Sequence, residues 1–218
     1  VMRHLLLLMR QKMEELGSSF LFNTRCTDFI IEEKDGQKRV RGIRATDART
    51  GQEQEIRCDA VLLASGHSAA DIYGMLARIA PESLAAKGFA FGVRVEHPRE
   101  LIDRIQYHGD AQAARTLGAA EYRLTSQVDG RGVYSFCMCP GGFIVPSASS
   151  DGQIVINGMS AAGRNSLWSN AAIVVETRPE DIPPQFREQA QEAGCPALAG
   201  LFARTWLEEE TCRRGDGR

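Results

Sequence analysis

The sequence lacks both a long hydrophobic run and a marked excess of charge of one sign. The apolar stretch at residues 5–9 is too short to cross a bilayer, and charged residues follow it. A formal net charge of −2 gives no general attraction for nucleic acid or for anionic membranes. We therefore expect no nucleic-acid or membrane partner. The expected partner is an unknown small-molecule substrate, the expected location is the cytoplasm, and the oligomeric state is left open.

Several motifs that carry chemistry are also absent from the sequence. No cysteine or histidine pairs have the spacing of a zinc site, so no metal is expected. No hydrolase order of serine, histidine and aspartate stands out, and no glycine loop of the nucleoside-triphosphate type occurs. The six cysteines lie in apolar or mixed runs with no secretion signal before them, which predicts free thiols in a reducing compartment.

The first third of the sequence contains one helix followed by strands. Apolar residues recur at spacings of four, four and three, which predicts an amphipathic helix over residues 2–16. A short strand is predicted at residues 20–22, and a succession of strands over residues 27–64. The continuously apolar run at residues 60–64 is typical of a central parallel strand covered on both faces. Ser68 then opens a capping-box pattern, which predicts the start of a second helix.

After residue 88 the pattern changes to that of a largely antiparallel unit. Strands are predicted at residues 89–95, 122–128, 132–138, 143–145, 153–157 and 171–176. Two short helices, at about residues 98–107 and 110–117, interrupt the series. The prolines near residues 179–184 end it, and residues 185–211 are predicted to be helical with a break around residues 194–196.

The turn that follows the apolar run is the first candidate site. Ala64, Ser65 and Gly66 stand between a predicted strand and a predicted helix, where open α/β sheets bind ligands. A residue without a Cβ lets the backbone approach a flat or phosphorylated ligand. Strand-to-helix turns also need glycine for purely steric reasons, so this alternative stays open. His67, directly after the turn, is a further candidate for acid–base chemistry or a structural histidine.

A pair of cysteines in a predicted strand is the second candidate. Cys137 and Cys139 are separated by one residue, so both side chains are expected on the same face of the strand. We expect no disulfide between them, because their Cα atoms should be roughly 6.5–7 Å apart, at the upper limit for a bridge. The two thiols either pack in the core or line a surface that faces substrate.

A polar segment after the 153–157 strand is the third candidate. Asn157, Ser160 and Arg164 lie close together in sequence, with Asn165 and Asn170 following. Amides and a guanidinium at the end of a strand can orient a polar ligand through hydrogen bonds. The alternative is a polar loop whose side chains satisfy their own backbone.

Four segments of this sequence, in this order, resemble one family. They are LASGHSAAD at residues 63–71, FGVRVEHP at 91–98, YSFCMCPGG at 134–142 and NGMS at 157–160. The family is that of the bacterial FAD-dependent dehydrogenases described as NAD(FAD)-utilising. The resemblance covers roughly residues 1–210.

The resemblance implies an α/β protein with a glutathione-reductase-like FAD fold. It implies a partial, Rossmann-like FAD-binding domain with a β-meander at residues 1–87, a mostly antiparallel β substrate domain at 88–178, and a return to the first domain at 179–218. It also implies FAD contacts in two segments. These contact residues are Cys26 and Thr27 at the start of the meander, and Ala64, Ser65 and Gly66 at the turn.

Family members open with a strand, a G-x-G-x-x-G turn and a helix that receives the pyrophosphate of FAD, and this motif does not occur here. We therefore expect a fragment of an FAD-dependent oxidoreductase of unknown substrate, inactive when isolated. Cys137 and Cys139 are the candidate catalytic residues. The alternative is a non-catalytic binding or oligomerisation module without flavin.

Overall fold

The computed structural model describes residues 2–215, apart from the side chain of Met2, and divides the chain after Gly66 into two units. Unit 1 covers residues up to 66, and unit 2 begins at residue 67. Both combine helices with antiparallel strands, which confirms the predicted α/β class. The domain boundaries at residues 87 and 178 stay predictions.

Unit 1 consists of one helix and a three-stranded antiparallel meander. The helix α1 spans Met2–Glu15, and the strands are β1 (Thr24–Lys34), β2 (Gln37–Asp47) and β3 (Glu53–Arg57), in the order β1-β2-β3. The meander was predicted from its turns. At the first turn Asp35 and Gly36 have positive φ, a conformation that aspartate and glycine tolerate better than most residues.

The second turn of the meander is held by one carboxylate. Asp47 accepts hydrogen bonds from the backbone N–H groups of Arg49 and Thr50 at 2.8 and 3.0 Å. These two bonds lower the pKa of Asp47. Unit 1 has a small core. Its buried apolar residues, among those described, are Phe29, Ile30 and Ala45.

Two strands predicted in unit 1 do not form. Phe20 and Phe22 lie outside any strand, and their rings stack with centroids 6.3 Å apart, with the Arg10 guanidinium over both rings. Residues 60–64 also lie outside any strand, and Leu62 is 93% exposed. A strand needs hydrogen-bonded neighbours, and none of the described strands pairs with this run.

The described residues of unit 2, 67–215, form five α-helices and six strands. The helices are α2 (Ala70–Ile79), α3 (Arg99–Gln106), α4 (Ala111–Leu117), α5 (Pro184–Glu192) and α6 (Ala199–Arg214). The strands are β4 (Phe89–Pro98), β5 (Thr125–Val128), β6 (Arg131–Cys139), β7 (Gly142–Pro146), β8 (Ile156–Ser160) and β9 (Trp168–Thr177). The antiparallel pairing predicted for this region is confirmed.

The main sheet of unit 2 has the order β4-β9-β6-β5, and β7 and β8 form a separate hairpin. The last strand in sequence, β9, therefore lies at the centre and pairs with both β4 and β6. The hydrophobic core lies among the helices. Its buried members are Ala77, Ile182, Phe186, Ala190, Cys195, Leu198, Ala199 and Ala203.

Two local predictions in unit 2 were wrong. The N-cap of α2 is Ala69, and its side chain makes no cap, so Ser68 does not open a capping box. Asp71 accepts instead from the backbone N–H of Ile72 at 3.0 Å. The strand predicted at residues 153–157 begins three residues later, at Ile156, where pairing with β7 starts.

Candidate functional site

The two predicted FAD contacts at the start of the meander lie on a β-bulge. Cys26 pairs with Ala45 and Asp28 with Arg44, so the β1–β2 register skips Thr27. Thr27 is exposed, and Cys26 is half-buried with its Sγ 3.7 Å from the Asp28 carbonyl oxygen. A bulge takes backbone groups out of the strand ladder, and this one leaves Thr27 open at the surface.

The other predicted contacts, Ala64, Ser65 and Gly66, lie in an exposed segment of unit 1 after β3. Gly66 has a φ of +79°, and no other atom lies within 4 Å of the place where a Cβ would stand. Its backbone is therefore open to close approach by a ligand, as the glycine-turn hypothesis requires. The prediction that residues 60–64 form a strand before this turn was wrong.

In unit 2, Cys137 lies in a second β-bulge. Phe136 pairs with Ala172 and Cys139 with Asn170, so β6 carries one residue more than β9 between these pairs. Cys137 has a φ of +45°, a conformation that is uncommon for residues other than glycine. The bulge breaks the alternation on which the shared face was predicted. Cys137 is exposed, whereas Cys139 is half-buried, and both are free thiols.

A polar cluster around the buried Asn170 holds this bulge in place. The Nη1 of Arg94, on β4, donates to the Cys137 carbonyl oxygen at 3.0 Å and to Oδ1 of Asn170 at 2.7 Å. Asn170 is fully buried, and its Nδ2 has no hydrogen-bond partner within the described part of the chain. The hydrogen bond from the guanidinium to the Cys137 carbonyl stabilises the strained backbone of that residue. Backbone strain of this kind often marks a functional site.

The neighbouring glycine explains why this cluster is so tightly packed. A Cβ on Gly158 would stand 2.3 Å from Asn170 Oδ1, 2.4 Å from Arg94 Nη1 and 2.7 Å from Cys139 Sγ. Any side chain here would displace the cluster, so the glycine of the NGMS segment is needed for close approach. The structure thus brings together residues from three of the segments that carry the resemblance.

The bulge opens onto a cavity of about 530 Å³ in unit 2. Its lining consists of residues 121–125 and 134–138, which include Tyr122, Tyr134, Phe136 and Cys137. A larger cavity of about 680 Å³ lies beside α2 and α6, but Arg78 is its only ionisable lining residue. The smaller cavity is the better candidate, because it combines aromatic walls with a thiol and two phenols.

One tyrosine of this cavity is coupled to a histidine and to the arginine. The hydroxyl of Tyr122 lies 2.9 Å from Nε2 of His97, and the two ring centroids are 5.6 Å apart. Burial raises the pKa of Tyr122, and the charge of Arg94 offsets part of that rise. The phenol therefore stays protonated at neutral pH and is available as a hydrogen-bond donor.

The other polar residues predicted to bind a ligand have hydrogen-bond partners within the protein, Asn157 in its own segment and both Ser160 and Arg164 on distant segments. Asn157 Oδ1 accepts from the N–H of Gly158 at 2.8 Å, and the Ser160 hydroxyl donates to the Pro140 carbonyl at 2.8 Å. Arg164 donates to Oε1 of Glu121 at 2.5 Å. His67 is exposed, and its carbonyl oxygen accepts from Arg204 at 2.9 Å. Of the polar side chains in this third candidate site, only that of Asn170 belongs to the polar cluster around Arg94.

Three residues of the site were not singled out from the sequence. Arg94 and His97 lie in the FGVRVEHP segment that carries the resemblance, and Tyr122 was predicted only as the first residue of a strand. One signal was available, because Arg94 stands between Val93 and Val95 in a strand-like run. An arginine in such a run often has a buried partner.

Among residues 2–215 no group of three metal-ligating side chains comes together, and no described helix is long and apolar enough to cross a membrane. The site described so far is an aromatic cavity next to Cys137, a residue with a strained backbone. It lies in an α/β protein with an antiparallel domain.

Comparison with known families identifies the class of protein to which this fold and site belong. The sequence model of a family described as "FAD binding domain" matches residues 2–92. The model of a second family, described as "FAD-dependent protein, C-terminal domain-like", matches residues 88–218. The class is that of FAD-dependent proteins, as the resemblance implied, with FAD as the cofactor.

The chain belongs to the family of FAD-dependent proteins that carry this C-terminal domain. It is also similar to an uncharacterized protein of Clostridium beijerinckii, with 43% identity over 175 residues. The matched part is 79% of this chain and 31% of that relative. The chain therefore spans about a third of the length of the relative.

Proposed function

We propose that this chain is part of an FAD-dependent dehydrogenase whose small-molecule substrate occupies the 530 Å³ cavity of unit 2. The observation that carries the proposal is the bulge at Cys137, which Arg94 holds in a strained conformation at the cavity wall. Backbone strain of this kind is retained where surrounding contacts over-determine it, and it is frequent at active sites.

The residues predicted to contact FAD fit that group. The Thr27 bulge and the open backbone at Gly66 are both exposed, and a flat ring or a phosphate needs such an approach. In this proposal Cys26 and Thr27 contact the adenine end, and residues 64–66 contact the cofactor farther along. FAD, when bound, supplies two-electron redox chemistry, while the protein orients the substrate and excludes water.

The two cysteines at the bulge have different roles in this proposal. Cys137 is exposed among the lining residues and faces the substrate. Cys139 is half-buried, with its Sγ 3.4 Å from the Cys137 carbonyl oxygen, so it is a positioning residue. The absence of a nucleic-acid partner remains part of the proposal and is supported by the net charge of −2. A cytoplasmic location is also part of the proposal and is supported by the six free cysteines.

Flavin content tests the cofactor part of the proposal. In a full-length protein that contains this chain, Gly66→Val should sharply lower the flavin content, because a branched side chain blocks the approach to the backbone. Gly51→Val is the matched control. Gly51 also lies in unit 1, with a φ of +72° and no atom within 4 Å of its Cβ position. Equal flavin content in both variants would remove residues 64–66 from the cofactor site.

The isolated chain gives a second measurement. We expect residues 1–218 to retain FAD weakly or not at all through gel filtration, because the G-x-G-x-x-G motif does not occur in this sequence. Stoichiometric flavin after gel filtration would contradict this expectation. A full-length protein without flavin absorbance would instead favour the rival function, a non-catalytic binding or oligomerisation module.

Turnover tests the role of the thiols. In the full-length protein, the Cys137→Ser, Cys139→Ser double variant should lose turnover while its flavin content is unchanged. Turnover is measured as dye reduction with a nicotinamide donor. Of the single variants, Cys137→Ser should account for most of the loss, and Cys212→Ser, a half-buried thiol on α6, is the control. Unchanged turnover in the double variant would leave both cysteines with a packing role only.

A further inference from the structure

The wall of the 530 Å³ cavity in unit 2 carries exposed aromatic rings. Tyr134 and Phe136 are 36% and 55% exposed, and they alternate on β6, so that both side chains lie on one face of the sheet. Both positions precede the bulge at Cys137, where the regular alternation ends. Exposed rings beside one cavity are suited to contact with the flat apolar part of a ligand.

The hydroxyl proton of Tyr122, which also lines the cavity, is already engaged within the protein. Nδ1 of His97 lies 3.5 Å from the Pro98 carbonyl oxygen, and a carbonyl can only accept, so the ring proton is on Nδ1. Nε2 of His97 is then the acceptor for the Tyr122 hydroxyl at 2.9 Å. Tyr122 therefore offers the cavity its ring and no free hydrogen-bond donor, and an ionised ligand group needs a different partner.

Arg123 is a cation at the cavity without a counter-charge. It belongs to the cavity lining and is exposed. The acidic residue of the lining, Glu121, is paired with Arg164 instead, with Nη1 and Oε1 2.5 Å apart. No carboxylate within residues 2–215 forms an ion pair with the Arg123 guanidinium. Its N–H donors are therefore available to an anion in the cavity.

A second positive charge lies behind the cavity wall. Arg94 acts electrostatically on the Tyr122 phenol. Its Nη1 donates to two neutral oxygens, the Cys137 carbonyl and the Asn170 amide. Glu96, two residues farther along β4, accepts from a backbone N–H at 3.3 Å and forms no ion pair with Arg94 in the described part of the chain. The charges around the cavity are therefore positive in balance, which favours a ligand of negative charge.

We propose that this cavity binds an aromatic carboxylate. The carboxylate forms an ion pair with Arg123, and the ring lies against Tyr134 and Phe136. One accessible guanidinium offers two parallel N–H donors, which match the two oxygens of a single carboxylate. This inference rests on the proposed function in treating the compound as the substrate of the oxidoreductase, whereas its binding does not require flavin.

The test uses the 218-residue chain without flavin and three probes. Benzoate has both the ring and the charge, benzamide keeps the ring and a planar head group without the charge, and acetate keeps the charge without the ring. Affinities are measured by ligand-observed NMR titration. Wild-type protein should bind benzoate with a Kd below about 10 mM, and benzamide and acetate about fivefold more weakly. Absence of saturable benzoate binding in this range, or equal affinity for benzoate and benzamide, would overturn the proposal.

A variant of the arginine assigns the ion pair to one residue. Arg123→Met keeps an unbranched side chain but removes the guanidinium, so it should weaken benzoate binding about fivefold and leave benzamide binding unchanged. Arg187→Met is the matched control, because Arg187 is exposed on α5 in the same unit and lies outside the cavity lining. Equal benzoate affinity in wild type and Arg123→Met, or an equal loss in Arg187→Met, would overturn the assignment.

The aromatic wall and the ionic strength give two independent measurements. Phe136→Ala should weaken benzoate and benzamide by the same factor, because it removes ring contact and no charge. Raising the salt concentration about tenfold should weaken benzoate binding alone, because salt screens an exposed ion pair. Unchanged benzoate affinity in Phe136→Ala, or a benzoate affinity that is independent of salt, would contradict the proposed binding mode.

Thermal melting of each variant establishes that the fold is intact. These measurements involve no flavin, so their failure is distinguishable from failure of the cofactor proposal, which is tested by flavin content in the full-length protein.

Discussion

Units 1 and 2 differ in how well each covers its own apolar residues. In unit 1 the apolar residues predicted on one face of α1, such as Leu5 and Leu16, are 47% and 75% exposed. In unit 2 a helical cluster buries Phe186, Ala190 and Leu198 to below one-tenth exposure. Amphipathic patterns are therefore satisfied within unit 2 and remain uncovered within unit 1 among the described residues. The comparison teaches that a correctly predicted helix need not bury its apolar face.

The largest expected effect contrasts one core phenylalanine from each unit. Phe186→Ala should lower the free energy of unfolding by about 3–5 kcal/mol, because it leaves a cavity in the helical core. Both tryptophans, at positions 168 and 206, lie in unit 2, and the Phe186 and Trp206 rings are 5.7 Å apart. Tryptophan fluorescence during denaturant unfolding therefore reports the unfolding of unit 2.

Phe29→Ala is the matched control, because Phe29 is as buried as Phe186 but lies in unit 1. Its effect on the tryptophan-detected transition should be much smaller than that of Phe186→Ala. An equal shift by both variants would contradict the division into two separately packed units.

A smaller effect is expected from the β4–β9 strand pair of unit 2. A Cβ on Gly92 would stand 1.9 Å from the Ile173 carbonyl oxygen, so the β4 and β9 backbones would have to separate. Gly92→Ala should cost about 1–3 kcal/mol of unfolding free energy. At Gly132 the nearest atom is a flexible glutamine side chain at 3.8 Å, so Gly132→Ala should have little effect. Similar losses in the two variants would argue against this close strand contact.

A pH-dependent effect is expected at the edge of the same unit. The backbone N–H of Arg178 and the charge of Arg131 lower the pKa of Asp181. A carboxylate with a lowered pKa contributes stability above its unfolded-state pKa, and that contribution is lost as the pH falls through its folded-state pKa. Asp181→Asn should therefore lower the melting temperature at neutral pH and make little difference at about pH 3.

The exposed neighbour Glu180 is the control for this charge effect, and Glu180→Gln should leave the melting temperature at neutral pH nearly unchanged. A difference between wild type and Asp181→Asn that persists undiminished at acid pH would show that the loss is not due to ionisation.

The smallest expected effect belongs to unit 1. Leu62 is 93% exposed, so Leu62→Ser should change the unfolding free energy of the isolated chain by less than about 0.5 kcal/mol. Ile30→Ser, at a site that is 6% exposed in the same unit, should be clearly destabilising when unfolding is followed by far-UV circular dichroism. A substantial loss in Leu62→Ser would show that residues 60–64 pack against protein in solution.

Local sequence patterns predicted the elements that depend on local interactions. The helix spacing anticipated α1, the Asp35–Gly36 pair anticipated the first turn of the meander, and the break near residue 194 anticipated the separation of α5 from α6. Each of these depends on neighbours only a few residues away, through hydrogen bonds, spacing or φ preferences. The resemblance carried by the four segments likewise predicted the family and FAD.

The cavity site was decided by tertiary structure, because it depends on contacts between residues distant in sequence. Arg94 reaches a carbonyl 43 residues away and an amide 76 residues away, and both contacts require β9 to lie between β4 and β6. Strand alternation predicted a shared face for Cys137 and Cys139, whereas the extra residue of the bulge turned one thiol outward. By itself the sequence determined which residues were available, and the order of strands in the sheet decided which of them met.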